Sequence, residues 1–234
     1  MKKKILLIDV DDTLLDFTKG EKVAITKTLE YFGLPCDAKT IESYHEFNDS
    51  LWKAYEKGKI TKPELVIKRF SMLLEELGND SIKPEKMNEE YFENLKIQCE
   101  YKDGASEFLD KIKDYYRIVL VTNGTTMIQN SRLSLSGLID RVEKVFISEQ
   151  LSTKKPELEF FRIVEKNLTD FDKKDCILCG DSLTSDISGG LRYGVRTVWY
   201  NPNGVPLVGN IKPDYTVSDF ETLYDLLISF AKNN

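Results

Sequence analysis

Histidine is almost missing from this chain: His45 is the only one in 234 residues. It sits among Tyr44, Glu46 and Phe47 in a helical stretch, and is read as helix surface rather than as a general base. No Gly-x-x-x-x-Gly-Lys-[Ser/Thr] phosphate loop is present. Gly180-Asp181-Ser182 begins like a nucleophile elbow, but Thr184 stands where the closing glycine belongs. Cysteine is sparse and scattered, at Cys36, Cys99, Cys176 and Cys179. The last two spell Cys-x-x-Cys within an apolar run, and residues three apart on a strand point to opposite faces. They read as buried small hydrophobes, not as a redox or zinc pair. Long apolar runs are absent too. None approaches the roughly 20 residues that span a bilayer, and Met1-Lys2-Lys3-Lys4 is followed by only Ile5–Ile8 before aspartates intervene. The expectation is a cytoplasmic protein with no signal segment. Positive charge is also in deficit, 33 basic against 39 acidic residues for a net −6. That balance offers no general attraction for nucleic acid or anionic membrane, so any phosphate must be drawn by a local device such as a metal ion or a single lysine.

What is present is a soluble globular composition, 41% hydrophobic and 31% charged. Ile5–Ile8, Ile118–Val121, Val145–Ile147, Cys176–Cys179 and Val195–Trp199 each fit a strand buried on both faces. Helical patterns separate them. Ala105, Phe108, Leu109 and Ile112 share a helix face, and Pro156–Asn167 is expected to open with its proline in the first turn. Ser218-x-x-Glu221 reads as a capping box before Phe220, Leu223, Leu227 and Phe230. Strands alternating with helices predict an α/β fold, a parallel sheet wrapped on both sides. Residues 17–97 break the alternation. Helical patterns at Leu51–Tyr55, Glu64–Leu77 and Glu85–Ile97, separated by Gly58, Gly78 and Pro84, predict an all-helical lobe there. Residues 1–16 and 98–234 are then the sheet-bearing core.

Chemistry gathers at the strand ends, where open parallel sheets bind ligands. The first strand runs into Asp9-Val10-Asp11-Asp12-Thr13, and in extended chain Asp9 and Asp11 share a face. Such a pair suits a divalent cation, or a nucleophile beside an acid–base partner. It is not an EF-hand loop, because Leu14 and Gly20 occupy the positions that need Gly and Glu. The second strand ends Val121-Thr122-Asn123-Gly124, where a threonine hydroxyl and backbone N–H groups can grip phosphoryl oxygens. Lys154-Lys155-Pro156 brings an ammonium to a helix start, and Gly180-Asp181-Ser182-Leu183-Thr184-Ser185-Asp186 carries two more carboxylates from a buried strand into a helix that Gly194 closes.

These four elements, in this order, resemble the haloacid dehalogenase superfamily along the whole chain. Asp9-x-Asp11-x-Thr13 matches its first motif, Thr122 its second, Lys155-Pro156 its third, and Gly180-Asp181 with Asp186 its fourth. The helical insert after the first motif looks like that family's first type of cap. The resemblance implies a Rossmann-like core and a capped site for small phosphorylated substrates. It implies Asp9 as nucleophile, Asp11 as acid and then base, and Thr122, the Asn123 amide and Lys155 as phosphoryl ligands. Magnesium, with manganese able to substitute, is implied at Asp9, the Asp11 backbone carbonyl, Asp181 and, through water, Asp186. Dehalogenases of the family lack a carboxylate at the place of Asp11, so a phosphatase or phosphomutase is expected. The stretch Gly180–Gly190, with Val198-Trp199-Tyr200-Asn201-Pro202, is similar to noncanonical pyrimidine 5′-nucleotidases, which implies UMP, dUMP, dTMP or damaged analogues of them as substrates. A sugar-phosphate mutase, a phosphoglycolate or sugar-phosphate phosphatase, and a catalytically silent regulatory relative are the alternatives. Phe17, Tyr44, Phe47, Trp52 and Tyr55 are the aromatics of the insert from which a base-stacking surface is expected.

Overall fold

The computed structural model describes residues 3–207 and 209–232. It begins with β1 (Lys4–Ile8) and continues through α1 (Phe17–Tyr31), α2 (Ala38–Glu56), α3 (Lys62–Glu76) and α4 (Pro84–Leu95). Then follow α5 (Ala105–Ile112), β2 (Tyr116–Thr122), α6 (Thr126–Leu135), β3 (Lys144–Ile147), α7 (Ser148–Leu151) and α8 (Leu158–Lys166). The chain closes with β4 (Cys176–Gly180), α9 (Ser188–Tyr193), β5 (Arg196–Tyr200), β6 (Tyr215–Val217) and α10 (Phe220–Lys232). It divides into two compact units, residues 1–16 with 99–234, and residues 17–98.

In the first unit the strands run parallel in the order β3-β2-β1-β4-β5-β6. This doubly wound, Rossmann-like sheet is what the alternating pattern predicts, and both of its faces are covered. Leu6, Ile8, Leu120, Ile177 and Cys179 pack with Phe108 and Leu109 of α5 and Leu223 and Leu227 of α10. Ile5, Leu7, Val119, Val121, Cys176 and Leu178 face the other layer, with Phe160, Phe161 and Val164 of α8. Cys176 and Cys179 thus lie in different layers, both as free thiols, and burial pushes both well above the ordinary thiol range.

Several elements differ from their sequence expectation. Pro156 lies before α8, not in its first turn: Glu157 N donates to Lys154 O (2.7 Å), closing a turn around Lys155 and Pro156. Ser218 does not cap α10; Asp219 does, its Oδ1 accepting from Thr222 N at 2.7 Å, because a carboxylate one residue closer to the helix is the better-placed acceptor. β6 carries no apolar run, since only Val217 of its three residues is buried, and the pattern passes over it. Gly194 stands at the end of α9 with φ 84°, as expected.

In the helical unit α2 begins well before the expected Leu51, with Asp37 accepting from Thr40 N at 2.9 Å; its polar first half hides it from a hydrophobic count. A Thr61–Glu64 capping box opens α3, as Thr61 N donates to Glu64 Oε2 (2.7 Å). Tyr44, Phe70 and Tyr91 form one aromatic cluster, with ring centroids 5.4–5.5 Å apart. The buried Arg69 guanidinium lies 4.5 Å from the Tyr91 ring and donates to Asn48 Oδ1 and Asn88 Oδ1. Buried Glu21 accepts from Asn48 and pairs with His45 Nδ1 at 2.7 Å. Tyr44 is wholly buried and Tyr55 packs with Leu51 and Leu65. Of the five aromatics in the sequence reading, Phe17, Phe47 and Trp52 keep partly open surface.

Candidate active site

The strand order reverses between β1 and β4, and the carboxyl ends of parallel strands flanking such a point form a ligand crevice. Ile8 pairs with Leu120 of β2 and Cys179 of β4, so Asp9, Thr122 and Asp181 emerge at one edge. Asp9 N still donates to Cys179 O at 3.0 Å. The strand then stops. Leu14 N and Leu15 N both fold back to Val10 O (2.9 Å), and Asp12 takes φ 54°. Asp9 and Asp11 therefore lie beyond the end of β1 rather than in one extended strand, and each carboxylate finds its own partners.

Asp9 Oδ1 accepts from Lys155 Nζ at 2.6 Å. The same ammonium donates to Asp186 Oδ1 (2.7 Å) and to Val121 O (2.7 Å), so each of its three N–H groups has an acceptor. Asn123 sets the lysine's place through its side chain: Nδ2 donates to Lys155 O (2.9 Å), and Oδ1 accepts from Lys155 N (3.0 Å). Asp181 is fixed by Thr13, whose hydroxyl donates to Asp181 Oδ1 (3.2 Å) and accepts from Asp181 N (3.1 Å). Trp199 Nε1 donates to Asp181 O at 2.7 Å. Asp186, fully buried, lies in a single π-helical turn, Leu183–Ile187, and its Oδ2 accepts from Ser182 N at 3.2 Å. Gly180 makes that approach possible, since a Cβ there would lie 2.3 Å from the Asp186 carboxylate.

Asp9, Asp181 and Asp186 each present an oxygen within 4.8 Å of the others. Burial pushes the Asp9 carboxyl up to about 8, with Lys155 lowering it and Asp186 and Asp11 raising it further. Burial, then the Asp9 and Asp186 charges, hold Asp181 far above the usual carboxylate range. On Lys155 burial works downward, but Asp186 and Asp9 together leave it above its ordinary value. Two buried carboxylates on one ammonium, Asp9 and Asp186, with the half-buried Asp181 beside them, make a hard-oxygen cluster that fits a divalent cation, and a cation relieves the repulsion among them.

The Asp11 carboxylate is not in this cluster. Its Oδ2 accepts from Gln129 Nε2 (2.7 Å), and its Oδ1 forms an ion pair with Arg132. Thr122 Oγ1 accepts from Gly124 N (3.0 Å) and from the same Gln129 Nε2 (2.7 Å). Gln129 and Arg132 are the site residues that the sequence motifs do not name; Thr13 stands in the first motif and Trp199 in the stretch after the fourth, and the structure gives each a partner in Asp181. The available signal was in α6, where polar Gln129 and Arg132 share the inward face with Ile128 and Leu133.

Comparison with known proteins shows what the chain as a whole is similar to. Residues 6–200 match the model of the haloacid dehalogenase-like hydrolases. The chain is 39% identical over 226 residues to the pyrimidine 5′-nucleotidase PynA of Streptococcus pneumoniae, covering 96% of this chain and 94% of that one. It is 30% identical over 227 residues to the pyrimidine 5′-nucleotidase YjjG of Escherichia coli, covering 97% and 99%. The crystal structure of the putative hydrolase YfnB of Bacillus subtilis bound to magnesium superposes with a TM-score of 0.92, at 35% identity and over 97% of this chain and 99% of that one. Among the described residues no helix is long and apolar enough to cross a membrane.

Proposed function

The chain belongs to the haloacid dehalogenase-like hydrolase family, and from that premise we propose that it hydrolyses pyrimidine nucleoside 5′-monophosphates through a phosphoryl group carried on Asp9. It is a phosphoric monoester hydrolase in this reading. The observation that carries it is the Asp9 carboxylate, buried at the strand edge against Lys155 with Asp181 and Asp186 around it. Likeness to PynA and YjjG supports the pyrimidine nucleotide.

In the first half-reaction an Asp9 oxygen forms a bond to phosphorus while the bond to the leaving oxygen breaks, and Asp11 gives that oxygen its proton. In the second, water attacks phosphorus, Asp11 takes the water's proton, and the Asp9 carboxylate is released with inorganic phosphate. Lys155 keeps the nucleophile oriented and offers positive charge to the phosphoryl oxygens. Thr122 and the Asn123 backbone N–H complete their binding. Magnesium or manganese, held by Asp9, Asp181, Asp186 and the Asp11 carbonyl, would supply charge that offsets repulsion between the carboxylate and an anionic substrate. The helical unit would serve as the cap that selects the leaving group.

A turnover screen with magnesium or manganese, over nucleoside monophosphates, sugar phosphates and phosphoglycolate, tests the reading. Highest kcat/KM for UMP, dUMP or dTMP is expected. Preference for a sugar phosphate would overturn the substrate, and absence of all phosphatase activity would overturn the reaction.

A further inference from the structure

Gln129 and Arg132 are the two α6 side chains that reach Asp11, and both are 1% exposed. Burying an amide and a guanidinium is costly unless their polar groups are engaged. Here they converge on one carboxylate. Gln129 Nε2 lies 2.7 Å from Asp11 Oδ2, and Arg132 Nη1 contacts Asp11 Oδ1. Arg132 Nη1 also lies 3.3 Å from Gln129 Oε1, which braces the pair at its i, i+3 spacing. The same Gln129 amide reaches Thr122 Oγ1 at 2.7 Å, so one side chain ties Asp11 to the end of β2. Room for it depends on Gly124, where a Cβ would stand 2.5 Å from Gln129 Nε2. Asp11 itself is on a loop and partly exposed, at 26% of its side chain, with nothing in regular structure to fix its rotation.

We infer that Gln129 and Arg132 are positioning residues for Asp11, fixing the rotation of its carboxylate so that a remaining lone pair is presented for proton exchange with the leaving oxygen. The inference rests on the phosphatase reading above. Each carboxylate oxygen has two lone pairs. One on each is taken by the α6 donors, and the proton passed to the leaving group travels on one that is left. The two carboxylates of the first motif also have separate cations, Lys155 for Asp9 and Arg132 for Asp11. They can therefore stand two residues apart with distinct tasks. Without the α6 donors Asp11 keeps its chemistry but turns freely, and proton delivery in the first half-reaction suffers.

A leaving group that needs a proton distinguishes this from a merely structural tie. kcat/KM reports the steps through phosphorylation of Asp9. UMP releases an alkoxide that must be protonated, whereas p-nitrophenyl phosphate releases a stable phenolate. In Gln129→Met and Arg132→Met, kcat/KM for UMP is expected to fall roughly 10- to 100-fold, part of the 10²–10⁴ that positioned acid–base groups supply. For p-nitrophenyl phosphate the fall should stay under about threefold in Arg132→Met and well below the UMP loss in Gln129→Met, which also removes the donor to the phosphoryl ligand Thr122. Arg132→Lys retains a buried cation, guards against loss of folding, and should shift the ratio in the same direction. In an Asp11→Asn background neither substitution should change the ratio further, as required of residues that act through Asp11. Equal losses for both substrates, or a ratio shift that persists without the Asp11 carboxylate, would overturn the inference. If UMP is not a substrate, the best alkyl monophosphate of the screen takes its place. A wild-type enzyme inert toward alkyl and aryl phosphates alike would instead sink the phosphatase reading, and this inference with it.

Discussion

Asp9 carries two demands that pull against each other. In the proposed reaction it must be ionised to attack phosphorus, yet burial raises it to about 8 in the metal-free protein. Asp9→Asn should fold and leave less than about one per cent of wild-type turnover, because the amide is nearly isosteric but cannot form the acyl phosphate. Steady-state rates and thermal melting check both halves. The raised value also fixes the sign of a pH effect. A carboxyl that binds its proton more tightly folded than unfolded contributes stability at low pH, and loses it as pH rises from about 4 through about 8. Metal-free wild type should therefore lose more melting temperature between pH 6 and pH 9 than metal-free Asp9→Asn, which has no proton to release there. Parallel curves for the two proteins would refute the assignment.

At the scale of elements, the site depends on how closely two segments approach. β4 ends at Gly180, and the π-helical turn after it carries Asp186 back over that glycine. π-Helical turns recur at functional sites because the extra residue redirects side chains. Gly180→Ala places a methyl group 2.3 Å from the Asp186 carboxylate, so the turn must yield. Magnesium affinity measured by calorimetry is expected to weaken roughly 10- to 100-fold, as when groups that orient metal ligands are altered, while the sheet keeps its secondary structure by circular dichroism. Unchanged affinity would show that the turn does not set the cluster. β1, β2 and β4 were visible as apolar runs because both faces of this sheet are buried. Edge strand β6 was not, since two of its three residues are exposed. The first half of α2 escapes an apolar count for the same reason, its exposed face being rich in charge.

For the molecule as a whole, the carboxylate cluster predicts that metal binding stabilises the fold. At about 100 times its Kd, magnesium contributes about 2.7 kcal/mol, which for a chain of this size is a rise in Tm of roughly 5–10 °C. Asp181→Ala should lose most of that rise; an undiminished rise would place the metal elsewhere. The helical unit bears the other prediction. With Tyr44 sealed in the aromatic cluster and Tyr55 buried against Leu51 and Leu65, the stacking candidates reduce to Phe17, Phe47 and Trp52. Alanine at one of them should lower kcat/KM for UMP by about 5- to 150-fold, the equivalent of a stacking contact of roughly 1–3 kcal/mol, with p-nitrophenyl phosphate affected much less. Three folded variants with the wild-type ratio would refute aromatic stacking by these residues.

The sequence by itself determined the parallel sheet, the helical segment within it, and the positions of Asp9, Thr122, Lys155, Asp181 and Asp186 at strand ends and turns. Those follow from local periodicity and from the rule that a strand's carboxyl end meets the ligand. Only the tertiary structure decided the partners of those side chains. It turned the Asp11 carboxylate toward Gln129 and Arg132, 118 and 121 residues away in sequence, set Thr13 and Trp199 against Asp181, and buried Tyr44 against Phe70 and Tyr91. Hydrogen bonds and packing between distant segments leave no period in the sequence. Residue type alone does not distinguish a buried arginine holding a carboxylate from one of the solvated arginines on the surface.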